Sequence, residues 1–150
     1  MAFEEMLLAL QDKLPKEPMA AMTLKEKFEK LDESRKQEVA TQIATLNLKS
    51  PAFVFWAGNF LFGIFGVARF MIGDKVLGFV RLGLTLLVII LFIVGVVFLA
   101  SDEREAFEIF CSLAGLVIFA NWTVWWIVDL FLVGKKLRRQ NLEKIMQILN

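Results

Sequence analysis

The chain has 150 residues, a length for one domain, and 57% of them are apolar, 15 being phenylalanine. A net charge of +1 gives no basis for non-specific nucleic-acid binding. With no histidine and a single cysteine, Cys111, a Cys/His zinc site, a histidine-dependent triad and an intramolecular disulfide are all excluded.

The apolar residues are segregated. Residues 1–50 are charge-rich, whereas 51–134 carry few charges outside two short clusters. This pattern predicts an all-α integral membrane protein: an amphipathic helical tail over 1–50, a membrane domain over 51–134 and a basic amphipathic helix over 135–150. The start of the chain, Met1-Ala2-Phe3-Glu4-Glu5, is acidic where a signal peptide is basic, so the membrane segments are expected to direct insertion themselves. A bacterial inner membrane is the expected location.

Phe3, Met6, Leu7, Leu10 and Leu14 recur at helical spacing, and Pro15 and Pro18 are expected to end that helix. Thr23-Leu24-Lys25-Glu26 has the form of a capping box. Leu24, Phe28, Leu31, Val39, Ile43 and Leu46 then continue an apolar stripe, with Ser34 and Gln37 as a second cap. The tail is expected to pack on itself or on a second copy; a docking surface for a partner or the membrane interface is the other reading.

Three apolar segments follow, at about 51–68, 78–100 and 107–133. The first measures roughly 27 Å as a helix, just enough to cross a membrane core, and is read as a full span with a re-entrant half-span as the alternative. The second, rich in Leu, Val and Ile, is the clearest span. An acidic link, Ser101-Asp102-Glu103-Arg104-Glu105, leads with capping residues into the third. Gly134 is expected to close that segment, ahead of Lys135, Lys136, Arg138 and Arg139. The helix beyond carries Leu137, Leu142, Ile145, Met146 and Leu149. It is expected to lie on the cytoplasmic headgroups, with packing on the N-terminal tail as the second reading.

Positive charge near the membrane marks the cytoplasmic side. This assigns the C-terminal basic helix and the elbow with Arg69, Lys75 and Arg81 to the cytoplasm, and the link at 101–105 to the outside. A full span at 51–68 would then put the charged tail outside, which conflicts with the lack of a signal sequence.

The elbow itself has a pattern: Gly63-x-x-Gly66-x-x-Arg69-Phe70-x-x-Gly73-Asp74-x-x-x-Gly78, with Trp125-Trp126-x-x-Asp129 later in the chain. Together these resemble the TM2 domain, a membrane family with two helices joined by a short loop carrying an Arg-Phe motif. The resemblance covers roughly residues 52–141 and implies a membrane class rather than a chemistry. Two features depart from the family: Ala68 and Met71 flank the Arg-Phe pair, and the acidic link splits the interval to Asp129 into two full apolar segments.

Charges at lipid depth are the residues to watch. Arg69 and Asp129 fall at similar depth and are expected to pair, with Arg81 as a competing partner; snorkelling of Arg69 beside a headgroup-level Asp129 is the alternative. Asn59, Thr85, Asn121 and Thr123 are read as single interhelical hydrogen bonds in preference to a polar path. Trp122, Trp125 and Trp126 are read as an interfacial belt or packing surface, and Cys111 as inert packing. No catalytic, cofactor-binding or metal-binding set is evident, nor a small-molecule substrate. The expected function is a small membrane anchor or scaffold, contacting the bilayer and either its own copies or another membrane protein. A small oligomeric pore or transport accessory is the alternative.

Overall fold

The computed structural model describes residues 3–99 and 104–150, and every regular element among them is helical. Helices α1 (Phe3–Leu10), α2 (Pro18–Glu29) and α3 (Glu33–Thr45) precede a short α4 (Pro51–Phe53), which passes into a π-helical stretch, Val54–Leu61. A 3-10 turn at Gly63–Phe65 leads to α5 (Val67–Met71), and then to α6 (Lys75–Leu99). Helix α7 (Arg104–Phe119), a π-helical stretch at Ala120–Trp125 and α8 (Trp126–Ile148) follow one another without a break. The chain divides into two compact units, a terminal one of residues 1–53 with 134–150, and an apolar one of residues 54–133.

The terminal unit is held by one hydrophobic core. Met6, Leu14, Leu24, Phe28, Val39, Ile43 and Leu48 from the tail close over Ile145 and Leu149 of α8. The tail therefore packs on itself, as its periodicity suggests, and also on the C-terminal segment. Headgroup binding by residues 135–150 is thus corrected to the second reading, packing on the tail, because that apolar face is already covered. Asn141 completes the join: its amide donates to the carbonyls of Lys13 and Lys49, both at 3.0 Å, so one side chain ties two loops to α8.

Several helix ends differ from expectation. Helix α2 starts at Pro18 rather than at the Thr23 box, because proline suits the first helical turn, where no N–H bond is lost. Thr23 instead donates its hydroxyl back to Met19 O at 2.8 Å. The second cap is Asp32, not Ser34, its carboxylate accepting from the Arg35 N–H at 2.7 Å. Before α4, Ser50 and Pro51 form a capped start in the same way, with Ser50 Oγ accepting from the Phe53 N–H.

The largest correction concerns segment 51–68, which is not one straight span. It breaks at Phe62–Gly66, where Gly66 takes φ +71°, a left-handed conformation that costs a glycine little. The chain then doubles back, and the backbone at Gly58 lies against Ala68. Among the described residues, two helices are long and apolar enough to cross a membrane, Lys75–Leu99 and Phe107–Ile148. They contact each other through Gly95 against the Phe110 ring and through Phe98, whose ring centroid is 5.5 Å from that of Phe110. The capping expected at Ser101 and Asp102 lies outside the described residues.

Gly134 does not close the last segment. A single glycine in a helix costs about 1 kcal/mol relative to alanine, and the stripe Asp129, Val133, Leu137, Asn141, Ile145, Leu149 runs through it at spacing four, every member buried. The surrounding packing outweighs the local preference. A Cβ at Gly134 would meet nothing within 4 Å. Gly134→Ala is therefore expected to stabilise the protein by about 1 kcal/mol, read as a higher melting temperature in detergent.

Candidate functional site, a buried charge cluster

Polarity in the apolar unit is inverted. Its buried side chains include Asn59, Arg69, Arg81, Thr85, Asn121 and Asp129, while phenylalanine, leucine, isoleucine and valine crowd its surface. Along α6 the buried positions are Gly78, Arg81 and Thr85, which fall on one helical face.

These residues meet at the broken segment. Asp129, 1% exposed, receives both arginines. Its Oδ1 accepts from Arg69 Nε at 3.0 Å and also from Arg69 Nη2, a side-on approach through two nitrogens. Its Oδ2 accepts from Arg81 Nη1 at 3.1 Å. Arg69 further donates Nη1 to Asp74 Oδ2 at 3.0 Å. The two arginines do not compete for Asp129, since each takes a different oxygen. Two guanidinium groups face two carboxylates, so the cluster sums to zero charge, which is what makes its burial tolerable.

The same side chains repair the backbone. A chain that leaves helical geometry exposes carbonyls, and in a dry environment each must find a donor. Arg81 Nε donates to Gly63 O at 2.6 Å, and Thr85 Oγ1 donates to Ile64 O at 2.6 Å. Residues 81 and 85 are one turn apart, so α6 presents two donors to two successive carbonyls: Gly63 O, which also accepts the Gly66 N–H at 3.1 Å, and Ile64 O. From the π-helical stretch, Asn59 Nδ2 donates to Asp129 O of α8 at 3.1 Å, and Trp126 Nε1 of α8 donates back to Asn59 O at 3.1 Å. Asn59 and Thr85 thus make discrete hydrogen bonds, whereas Asn121 is buried with its Oδ1 lacking a partner.

The elbow glycines acquire physical reasons. Gly73, at φ +81°, ends α5 in a Schellman arrangement, with Asp74 N bonded to Arg69 O and Gly73 N to Phe70 O. That turn is what swings the Asp74 carboxylate back to Arg69. A Cβ at Gly78 would lie 2.8 Å from the Phe70 ring, so Phe70 seats on bare backbone, its outer edge against Phe79. Gly63 leaves room for the Trp126 indole, 3.1 Å from where a Cβ would stand.

The tryptophans divide. Trp126 belongs to the cluster's hydrogen-bond chain, while Trp122 is exposed and Trp125 half-buried. Cys111 is also exposed on α7, so it is not packing inside the unit. Beside the cluster is a cavity of about 440 Å³ lined by Phe60, Ile64, Trp122, Trp126 and Ile127, with Thr123 and Arg81 as its polar wall. Among the described residues, no group of three or more acidic or cysteine side chains is placed to hold a metal ion.

What sequence reasoning missed was the roles of Gly58, Asn141 and the Asn59–Trp126 chain. The spacing-four stripe from Asp129 to Leu149 was the available signal for Asn141. No protein-family model, curated protein or solved structure matches this chain.

Proposed function

We propose that the protein is a membrane-embedded anchor whose two chain ends form a folded helical head acting through protein–protein contacts. The observation that carries this reading is the inverted polarity of residues 54–133: charges inside, large apolar side chains outside. Water would penalise that surface heavily, and lipid would not. The resemblance to TM2 domains belongs to this reading; it is carried by the pattern of Gly63, Gly66, Arg69, Phe70, Gly73, Asp74 and Gly78 with the later Trp125, Trp126 and Asp129.

Two crossings, by α6 and by the long helix from Phe107, put the two ends of the chain on one side of the membrane. The basic residues Lys135, Lys136, Arg138 and Arg139 favour the cytoplasm for that side. A broken, non-crossing segment at 51–68 removes the conflict over translocating the charged tail. The head has its own hydrophobic core and so presents a folded surface rather than a loose tail. Self-association is the contact expected first, as a homo-oligomer in the bilayer.

Single cysteines test the arrangement in a Cys111→Ser background. With a membrane-impermeant maleimide, Ala20→Cys and Lys75→Cys should label only after cells are permeabilised, and Glu103→Cys in intact cells. Labelling of residue 20 in intact cells would overturn the topology. A photo-crosslinker at Met22, an exposed head residue, should give a defined adduct in membranes; finding none at Met22 or Met19 would count against the contact function.

A further inference from the structure

We infer that the cavity beside the charge cluster binds one acyl chain of a neutral, ester-bearing amphiphile, with its carbonyl oxygen accepting from Arg81. The membrane reading accounts for the supply of such a molecule, but the site stands on its own geometry.

The cavity of about 440 Å³ falls within the range of small-molecule sites, roughly 300–1,000 Å³. Its walls suit a hydrocarbon: three aromatic rings, from Phe60, Trp122 and Trp126, and two isoleucines, Ile64 and Ile127. The polar wall is one-sided. A guanidinium carries five N–H donors, and Arg81 gives Nε to Gly63 O and Nη1 to Asp129 Oδ2. Its remaining donors have no acceptor among the described residues, and the side chain stands at the cavity wall. Arg81 Nη2 is not among the enclosed unpartnered atoms, so it is reachable from outside the cluster, and an occupant of the cavity that brings an acceptor is favoured.

Charge chooses the kind of acceptor. Arg69 and Arg81 are already balanced by Asp74 and Asp129. With the cluster already neutral, a carboxylate or phosphate would add an uncompensated negative charge, which the membrane reading places at lipid depth. An ester carbonyl satisfies the arginine and adds none. The Thr123 hydroxyl, on the same wall, can donate to a second oxygen or accept from a free hydroxyl of the head.

Trp122 and Trp126 supply the readout. A monoacylglycerol with a dibrominated chain, titrated into the full-length protein in unbrominated detergent, should quench tryptophan emission saturably. Monoolein should reverse the quenching. Dibromostearate anion should bind about tenfold more weakly, the difference expected for a mismatched polar contact. Thr123→Phe fills the cavity from an exposed position without touching the cluster, and should abolish saturation at an unchanged melting temperature. Leu116→Phe, on the exposed face of α7 and not on the cavity wall, should leave it intact. Linear quenching that never saturates in the unaltered protein would overturn the site. Equal or tighter binding of the anion would overturn the assignment to a neutral ester. If residue 20 labels from outside yet saturable binding persists, the topology fails and the site survives.

Discussion

Asp129→Asn is expected to destabilise the protein by about 3–5 kcal/mol, because it leaves two guanidinium groups buried with only Asp74 to balance them. Thermal unfolding in detergent, followed by circular dichroism, would measure it. A simple charge exchange, Arg69→Asp with Asp129→Arg, should not rescue the loss. The reason is geometric: Arg81 also binds Asp129, so the exchanged protein sets an arginine against Arg81. Rescue should come instead from neutralising the triad with apolar groups of similar size, Arg69→Met, Arg81→Met and Asp129→Leu. Replacement of a buried ion pair by hydrophobic side chains is often neutral or stabilising. Recovery should be partial, since Asp74 loses its Arg69 partner and Gly63 O keeps only the Gly66 N–H. A charge exchange that restored full stability would show that Arg81 contributes little, and would refute the three-way cluster.

Gly58→Ala is expected to have the second-largest effect, about 1–3 kcal/mol, from overpacking. A methyl group there would stand 2.8 Å from Ala68 Cα, with the Ala68 methyl and Met71 Sδ also at 3.0 Å. The sulfur can move, but the α5 backbone cannot without dragging Arg69, the next residue, away from Asp129. The predicted signature is therefore loss of stability coupled to the cluster: Gly58→Ala and Asp129→Asn should be less than additive in a double-mutant cycle. Gly115→Ala is the control, because a Cβ there meets nothing within 4 Å. Strict additivity of Gly58→Ala with Asp129→Asn would mean that the close approach and the ion cluster are independent.

Much of the helical content was legible because hydrophobic periodicity and run length are local signals. Helix α6 over Lys75–Leu99 is an uninterrupted apolar run after its first turns, and the tail stripe through Leu24, Phe28, Val39 and Ile43 marks a buried face. Arg69, Arg81 and Asp129 stood out for a similar reason, as charges set in apolar surroundings. Boundaries were less legible. Gly134 looks like a stop by composition alone, yet the buried residues on either side of it hold the helix intact. In the broken segment the glycines were visible, but only the folded arrangement shows that Gly66 takes a positive φ and that Arg81 and Thr85 donate to the carbonyls of Gly63 and Ile64 there.

By itself the sequence determined the class of this protein: helical, with long apolar stretches, charge-rich ends and no histidine. Those properties follow from composition and from the 3.6-residue period, and need no knowledge of distant contacts. Tertiary structure decided which segments are continuous and which charges meet. Arg69, Arg81 and Asp129 are separated by as many as 60 residues, and their pairing depends on the elbow turning the chain back on itself. The join of the chain's two ends in one core was likewise decided there, because an amphipathic face records only that it must be covered, not by what.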